Sequence, residues 1–204
     1  MIVRPPSSLS SRLLNPSLPR YITKPLITIN QRRTFVLPTG QNQRLTVTRN
    51  LPHPPSKLFT LISDINSYSA FVPFCTGSTV TSTTPPPDSF PATADLRVGW
   101  GGYDETFTSK VSCERFGDGK NGGVVVADAS ENGIFEVLRA KWVVDDKINS
   151  ENVEDAESKV DLEIEYKFAN PLYAVMSEAV VPVVAGKIIE AFEGRVQEVL
   201  GRGR

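Results

Sequence analysis

Between residues 159 and 168 the chain reads KVDLEIEYKF. Val160, Leu162, Ile164, Tyr166 and Phe168 alternate with Asp161, Glu163, Glu165 and Lys167. A period of two, apolar on one side and charged on the other, predicts an antiparallel strand with one covered face. The same alternation marks Leu45 and Val47 in RLTVTRNL at 44–51, and Leu96, Val98 and Trp100 in ADLRVGWGG. It continues through Phe107, Ser109, Val111 and Cys113 in DETFTSKVSCE, and through Leu138, Ala140, Trp142 and Val144 in FEVLRAKWVV. GSTVTSTT and VVVADAS are two further β-rich runs. GWGGY at 99–103 and GDGKNGG at 117–123 read as glycine-rich hairpin connections, and PPPDSFP at 85–91 as a surface loop.

Two segments switch to helical spacing. After Pro55, a residue tolerated in a first helical turn, Leu58, Phe59, Leu61, Ile62 and Ile65 predict a short amphipathic helix. Near the C-terminus Leu172, Met176, Val180, Val184, Ile188, Phe192, Val196 and Leu200 fall every fourth residue. This predicts a helix from Asn170 to Leu200, about 45 Å long, with a kink at Pro182. The order is strand, short helices, about six strands, then one long helix. An antiparallel sheet with helices gathered on one side is an α+β layout, and the sheet is expected to curl around the final helix.

Charge divides the chain. Nine of the 22 basic residues precede Asp64, the first acidic one, and residues 64–204 carry the other 13 against all 23 acids, a net charge of −10. Residues 1–35 hold Arg4, Arg12, Arg20, Arg32 and Arg33 among serines and leucines, with no acid, the composition of a mitochondrial transit peptide. RRTFV at 32–36 resembles a processing site, so 1–35 is expected to be a disordered leader, 36–42 a linker and 43–201 the folded domain. No apolar run reaches the roughly 18–20 residues of a membrane-spanning helix, so any membrane contact is expected to be peripheral.

The residues offer little for catalysis. Neither glycine-rich stretch has the spacing of a dinucleotide or phosphate loop. His53, the single histidine, lies between prolines and reads as a solvated loop residue that cannot assemble a metal site. Cys75 and Cys113 lack close spacing and read as core or cavity lining. Asp104–Glu105 and Asp145–Asp146 are adjacent carboxylates that a strand sends to opposite faces, so they read as solvated edges. An acidic body disfavours nucleic-acid binding. No catalytic residue, metal or catalytic cofactor is expected.

PPSKLFTLISDINSYSAFVPFCTGSTV, ENGIFEVLRAKWVV and FANPLYAVMSEAVVPVVAGKIIEAFEGRVQEVLG resemble the mitochondrial coenzyme Q-binding proteins of the START-like (polyketide cyclase/dehydrase) superfamily, over residues 43–200. Departures are Ser69, where that family often has proline, Gly133-Ile134-Phe135 in place of a glycine–proline–phenylalanine turn, and the PPPDSFP insert. The resemblance implies a helix-grip fold whose curved sheet wraps the C-terminal helix around an apolar tunnel. It implies a noncatalytic protein that binds ubiquinone at the matrix side of the mitochondrial inner membrane and touches its lipids. Expected protein partners are ubiquinone-synthesis or respiratory-chain proteins. On this reading the tunnel is lined by Phe59, Leu96, Val98, Trp100, Phe107, Leu138, Trp142, Tyr166, Phe168, Met176, Val180 and Val184. Tyr68, Phe71, Val72, Pro73, Phe74 and Phe135 form the entrance, with Phe71 and Phe74 dipping into lipid. Two alternatives stay open. A cyclase-type enzyme requires Arg97, Glu105, Lys110 or Arg139 to point inward. An interaction module would follow the link of bacterial relatives to ribosomes.

Overall fold

A computed structural model describes residues 42–100, 103–117, 121–146, 157–170 and 181–201. The expected leader and most of the linker lie outside these residues, as do Met176, Val180 and the expected helical stretch 171–180.

The alternating segments form seven strands: β1 (Gln43–Leu51), β2 (Cys75–Thr83), β3 (Pro91–Trp100), β4 (Tyr103–Arg115), β5 (Gly123–Asp128), β6 (Phe135–Asp146) and β7 (Ser158–Phe168). Helix α1 (Pro55–Ser63) and a 3-10 turn at Ile65–Ala70 follow β1, and α2 (Val181–Leu200) closes the chain. The strands make one antiparallel sheet in the order β1-β7-β6-β5-β4-β3-β2. Hairpins join consecutive strands from β2 to β7, whereas β1 pairs with β7, the last strand to be made.

Register places the apolar positions in rows across one face. Leu138 opposes Tyr166, Ala140 opposes Ile164, Trp142 opposes Leu162 and Val144 opposes Val160. Leu96 opposes Phe107, and Val47 opposes Leu162 from the other side. Because side chains alternate, this pairing sends Arg139, Lys141, Glu163 and Glu165 together to the opposite, wetted face. α1 starts with Pro55 at its first turn and buries Pro55, Leu58, Phe59 and Ile62 against β5 and β6. Phe59 is fully buried because Gly123 leaves room for it: a Cβ there would sit 2.6 Å from the ring and 2.3 Å from the Glu114 carbonyl.

The described part of α2, about 30 Å long, buries Ala185, Ile189, Phe192 and Val196. The stripe therefore sits one residue later at its start than the expected Val184 and Ile188, which are only half-buried. With α1 and the sheet, Ile189, Phe192 and Val196 complete one core.

His53 corrects the sequence reading. It is 6% exposed rather than solvated. Its carbonyl accepts a 2.6 Å hydrogen bond from the buried Ser158 hydroxyl, and its side chain meets the Gly201 backbone at the end of α2. Burial, with Lys57 nearby, holds its pKa below the usual value.

Candidate functional site

The concave side of the sheet has two unlike poles. At one, α2 meets the strands directly. Phe192 packs at a tilt against Trp142 with centroids 4.7 Å apart, and receives Tyr68 and Phe71 edge-on at 5.2 and 5.0 Å. The space left among Leu51, Leu58, Trp142, Val160, Ile189 and Phe192 is about 20 Å³. That admits a water-sized sphere and no hydrocarbon chain. Among the described residues, this end of the expected hollow is filled by side chains. Phe59 and Trp142, expected on a tunnel wall, lie in this packed half. Arg49 pairs with Glu193 at 2.6 Å across the margin of the void and ties β1 to α2.

The other pole is apolar and rich in aromatic rings. Phe135 lies 4.4 Å from Phe168 and 6.1 Å from Phe107, centroid to centroid, and Tyr166 meets Phe168 at 5.9 Å. Phe107, Phe135 and Phe168 are half-buried, as are Leu96, Val98 and Leu138 in neighbouring rows. Val184, in the first turn of the described helix, is also half-buried. Trp100 ends β3, and its backbone pairs with Tyr103 at the β3–β4 turn. This pole gathers aromatic and aliphatic side chains that are half-buried among the described residues.

The expected entrance segment folds inward. The Tyr68 hydroxyl donates to the Ile62 carbonyl, and burial pushes its pKa well above the ordinary tyrosine value. Phe71 packs on Tyr68 and Phe192, with the Arg195 guanidinium 5.7 Å from its ring centre. Val72 and Pro73 are half-buried. Phe74 takes a left-handed backbone, φ 67°, uncommon for a residue with a bulky side chain. Its carbonyl accepts a 2.9 Å bond from the Gly99 amide, and the Lys187 ammonium lies 5.9 Å from its ring centre. The Tyr68 and Phe71 rings therefore anchor α2 instead of projecting outward. The large apolar side chains exposed among the described residues are Val183 and Val199, both on α2.

The polar candidates separate by face. Arg97 lies on the outer face and forms a 2.7 Å bond to Asp104, whose carboxyl it holds below the usual range. Lys110 and Arg139 are exposed on that same side, where both neighbour Asp128 in register. Glu105 is the exception: it shares the face of Phe107 and Ser109 but is exposed near the strand end. Cys75 and Cys113 are buried and half-buried, and burial raises both thiols, Cys113 to about 11. Among the described residues no cluster of His, Cys, Asp or Glu could hold a metal ion, and no helix is long and apolar enough to cross a membrane.

This geometry agrees with known proteins. Residues 51–193 match the family model described as polyketide cyclase/dehydrase and lipid transport. The mitochondrial coenzyme Q-binding protein coq10 of Schizosaccharomyces pombe is 40% identical over 144 residues, 71% of this chain and 80% of its own. A START superfamily protein from Mycobacterium smegmatis superposes with a TM-score of 0.60 at 13% identity, covering 76% of this chain and 98% of that one. A Streptomyces aromatase/cyclase gives 0.58 at 15% identity, covering 79% and 99%. The last two speak for the helix-grip fold alone. With most of its length matched, the chain belongs to the polyketide cyclase/dehydrase and lipid-transport family of START-like proteins.

Proposed function

We propose that this chain binds and chaperones ubiquinone without transforming it, as a peripheral protein on the matrix side of the mitochondrial inner membrane. It would supply quinone for respiratory electron transport and for ubiquinone synthesis. The observation that carries the reading is the half-buried aromatic cluster of Phe107, Phe135 and Phe168 at the pole away from Phe192. Aromatic rings and aliphatic rows with few charges suit a prenylated ring. The 40% identical relative, named for coenzyme Q binding, adds support for the ligand, and its mitochondrial name supports reading residues 1–35 as a leader, 36–42 as a linker and 43–201 as the lipid-binding domain.

Energetics favour a carrier. Burying each methylene from water is worth about 0.8 kcal/mol, so a tail of several tens of carbons would exceed the roughly 20 kcal/mol ceiling on noncovalent affinity. The tail comes from a bilayer that is already apolar, so its transfer is close to neutral and exchange stays reversible. Selectivity then rests on the quinone ring and on the shape of the pole. Val183, 58% exposed one turn before Lys187, gives that pole an apolar contact for inner-membrane lipid with a cation beside it.

Organic extraction of the purified full chain followed by mass spectrometry tests this directly. A prenylated benzoquinone is expected, and Phe107→Ala with Phe168→Ala should reduce its occupancy several-fold while the fold survives. Recovery of phospholipid alone, or full quinone occupancy in the double variant, would overturn the assignment of ligand or pole.

A further inference from the structure

An open groove of about 390 Å³ runs along α1 where it meets the C-terminal end of α2. That is within the roughly 300–1,000 Å³ of small-molecule sites. It lies at the closed pole: Arg115, on its wall, is eight residues along β4 from Phe107, about 26 Å away. The quinone reading makes no use of it.

Its charge opposes that of the domain. Its lining holds Lys57, Arg115 and Arg195 with one carboxylate, Asp64, and Glu198 beside Arg195, although residues 64–204 carry a net charge of −10. Two of the cations are held in advance. The Arg115 guanidinium sits 4.6 Å from the centre of the Phe59 ring and 5.7 Å from that of Phe90. Arg195 lies over Phe71 and shares its charge with Glu198 at 2.9 Å. A guanidinium resting on an aromatic face keeps its N–H edge for a two-pronged acceptor, and less side-chain freedom remains to be lost on binding.

The helix start adds to this. α1 begins after Pro54 with no side-chain cap and no acidic residue in its first turn. Pro55 has no N–H, and the Lys57 and Leu58 amides both turn back to the Pro54 carbonyl. The Ser56 amide, on the groove wall, is left at the positive end of the helix dipole with no capping partner among the described residues. Two of the three hydroxyls on the wall are already engaged: Thr60 donates to the Ser56 carbonyl and Ser67 to the Asp64 carbonyl, each at 2.9 Å. Donors to an anion are therefore the three cations and the amide and hydroxyl of Ser56. Asp64 remains as an acceptor farther along the groove.

We propose that this groove binds a phosphate ester whose other end carries a hydroxyl or amine. The phosphate is held by Lys57, Arg115, Arg195 and the start of α1, and the substituent donates to Asp64. The test uses isotope-labelled full chain titrated with sn-glycerol 3-phosphate and followed by amide NMR. Saturable shifts at Ser56, Lys57 and Thr60 are expected, absent with sodium chloride at matched ionic strength. Lys57→Gln and Arg115→Gln should each weaken binding about tenfold, and Lys167→Gln, at the far end of β7 beside Glu136, should leave it unchanged. Arg195→Gln serves as the independent variant if Arg115→Gln lowers the melting temperature. Vesicles of phosphatidylglycerol and of phosphatidylcholine separate the sources. Response to the soluble ester supports a free metabolite, and response only to phosphatidylglycerol, lost in the same variants, supports the same site taking a lipid headgroup. Equal shifts with chloride, or binding unaltered in Lys57→Gln and Arg115→Gln, would overturn the proposal. Quinone content measured on the same samples keeps this outcome separate from that of the ubiquinone reading.

Discussion

Phe192→Ala is the substitution that weighs most on how α2 is held. The ring is 6% exposed and has three aromatic neighbours, Trp142, Phe71 and Tyr68, with centroids at 4.7, 5.0 and 5.2 Å. Truncating a core phenylalanine costs about 3–5 kcal/mol. Each aromatic pair adds about 0.5–1.5 kcal/mol beyond buried area, which puts this site near the upper end, about 4–5 kcal/mol. A domain of this size shifts by about 2–4 °C per kcal/mol, so the melting temperature should fall by roughly 12 °C. Urea unfolding read by tryptophan fluorescence measures the loss, since Trp142 lies against the deleted ring. Phe71→Ala and the double variant complete a cycle in which a coupling of about 0.5–1.5 kcal/mol is expected. Val183→Ser, at a 58% exposed position on the same helix, should change stability by less than about 0.5 kcal/mol. A loss below about 2 kcal/mol for Phe192→Ala, or strictly additive Phe71 and Phe192 effects, would refute the view that these rings clamp the helix to the sheet.

Further outcomes follow from other sites. Gly186→Ala, in α2 with nothing within 4 Å of the added methyl, should stabilise by about 0.5–1 kcal/mol, whereas Gly123→Ala must displace Phe59 or the β4 backbone and should unfold much of the population at 37 °C; both are read by thermal melts. His53 has a lowered pKa when folded, so the unfolded chain takes up its proton first as pH falls. The stabilisation is present above the unfolded value of about 6.5 and declines below it, and His53→Gln should flatten the urea midpoint between about pH 6.5 and 5. The lowered carboxyls of Asp128 and Asp161 act only at more acid pH, as pH falls below about 4. With Cys113 at about 11, only about one thiol in a thousand is ionised at pH 8, so Ellman's reagent should react slowly with the native protein and rapidly in urea; fast native reaction would contradict its burial.

Much of the sheet was legible because strict alternation leaves one register that buries the apolar face, as KVDLEIEYKF and FEVLRAKWVV illustrate. The α2 stripe was legible to within one residue. The closed pole was not, because whether Trp142 lines a channel or seals it depends on the ring opposite, Phe192, fifty residues later. Tyr68 and Phe71 pose the same difficulty: an uncharged aromatic cluster has one composition whether it faces lipid or a helix. His53 looked solvated because its cover comes from Gly201, at the far end of the chain. The groove cations were hidden for a similar reason, since Lys57, Arg115 and Arg195 meet only through the fold.

The pairing of β1 with β7 sets the order in which the molecule can assemble. Gln43 finds Tyr166, and Leu51 finds Ser158, more than a hundred residues downstream. The β2–β7 meander pairs strands that are consecutive in the chain, whereas docking β1 closes the longest loop in the sheet and must come late. Until then the first strand is an unpaired ribbon joined to the basic N-terminal segment, so a chain threaded through a membrane N-terminus first, or trimmed near residue 35, would not yet have committed that segment to the fold.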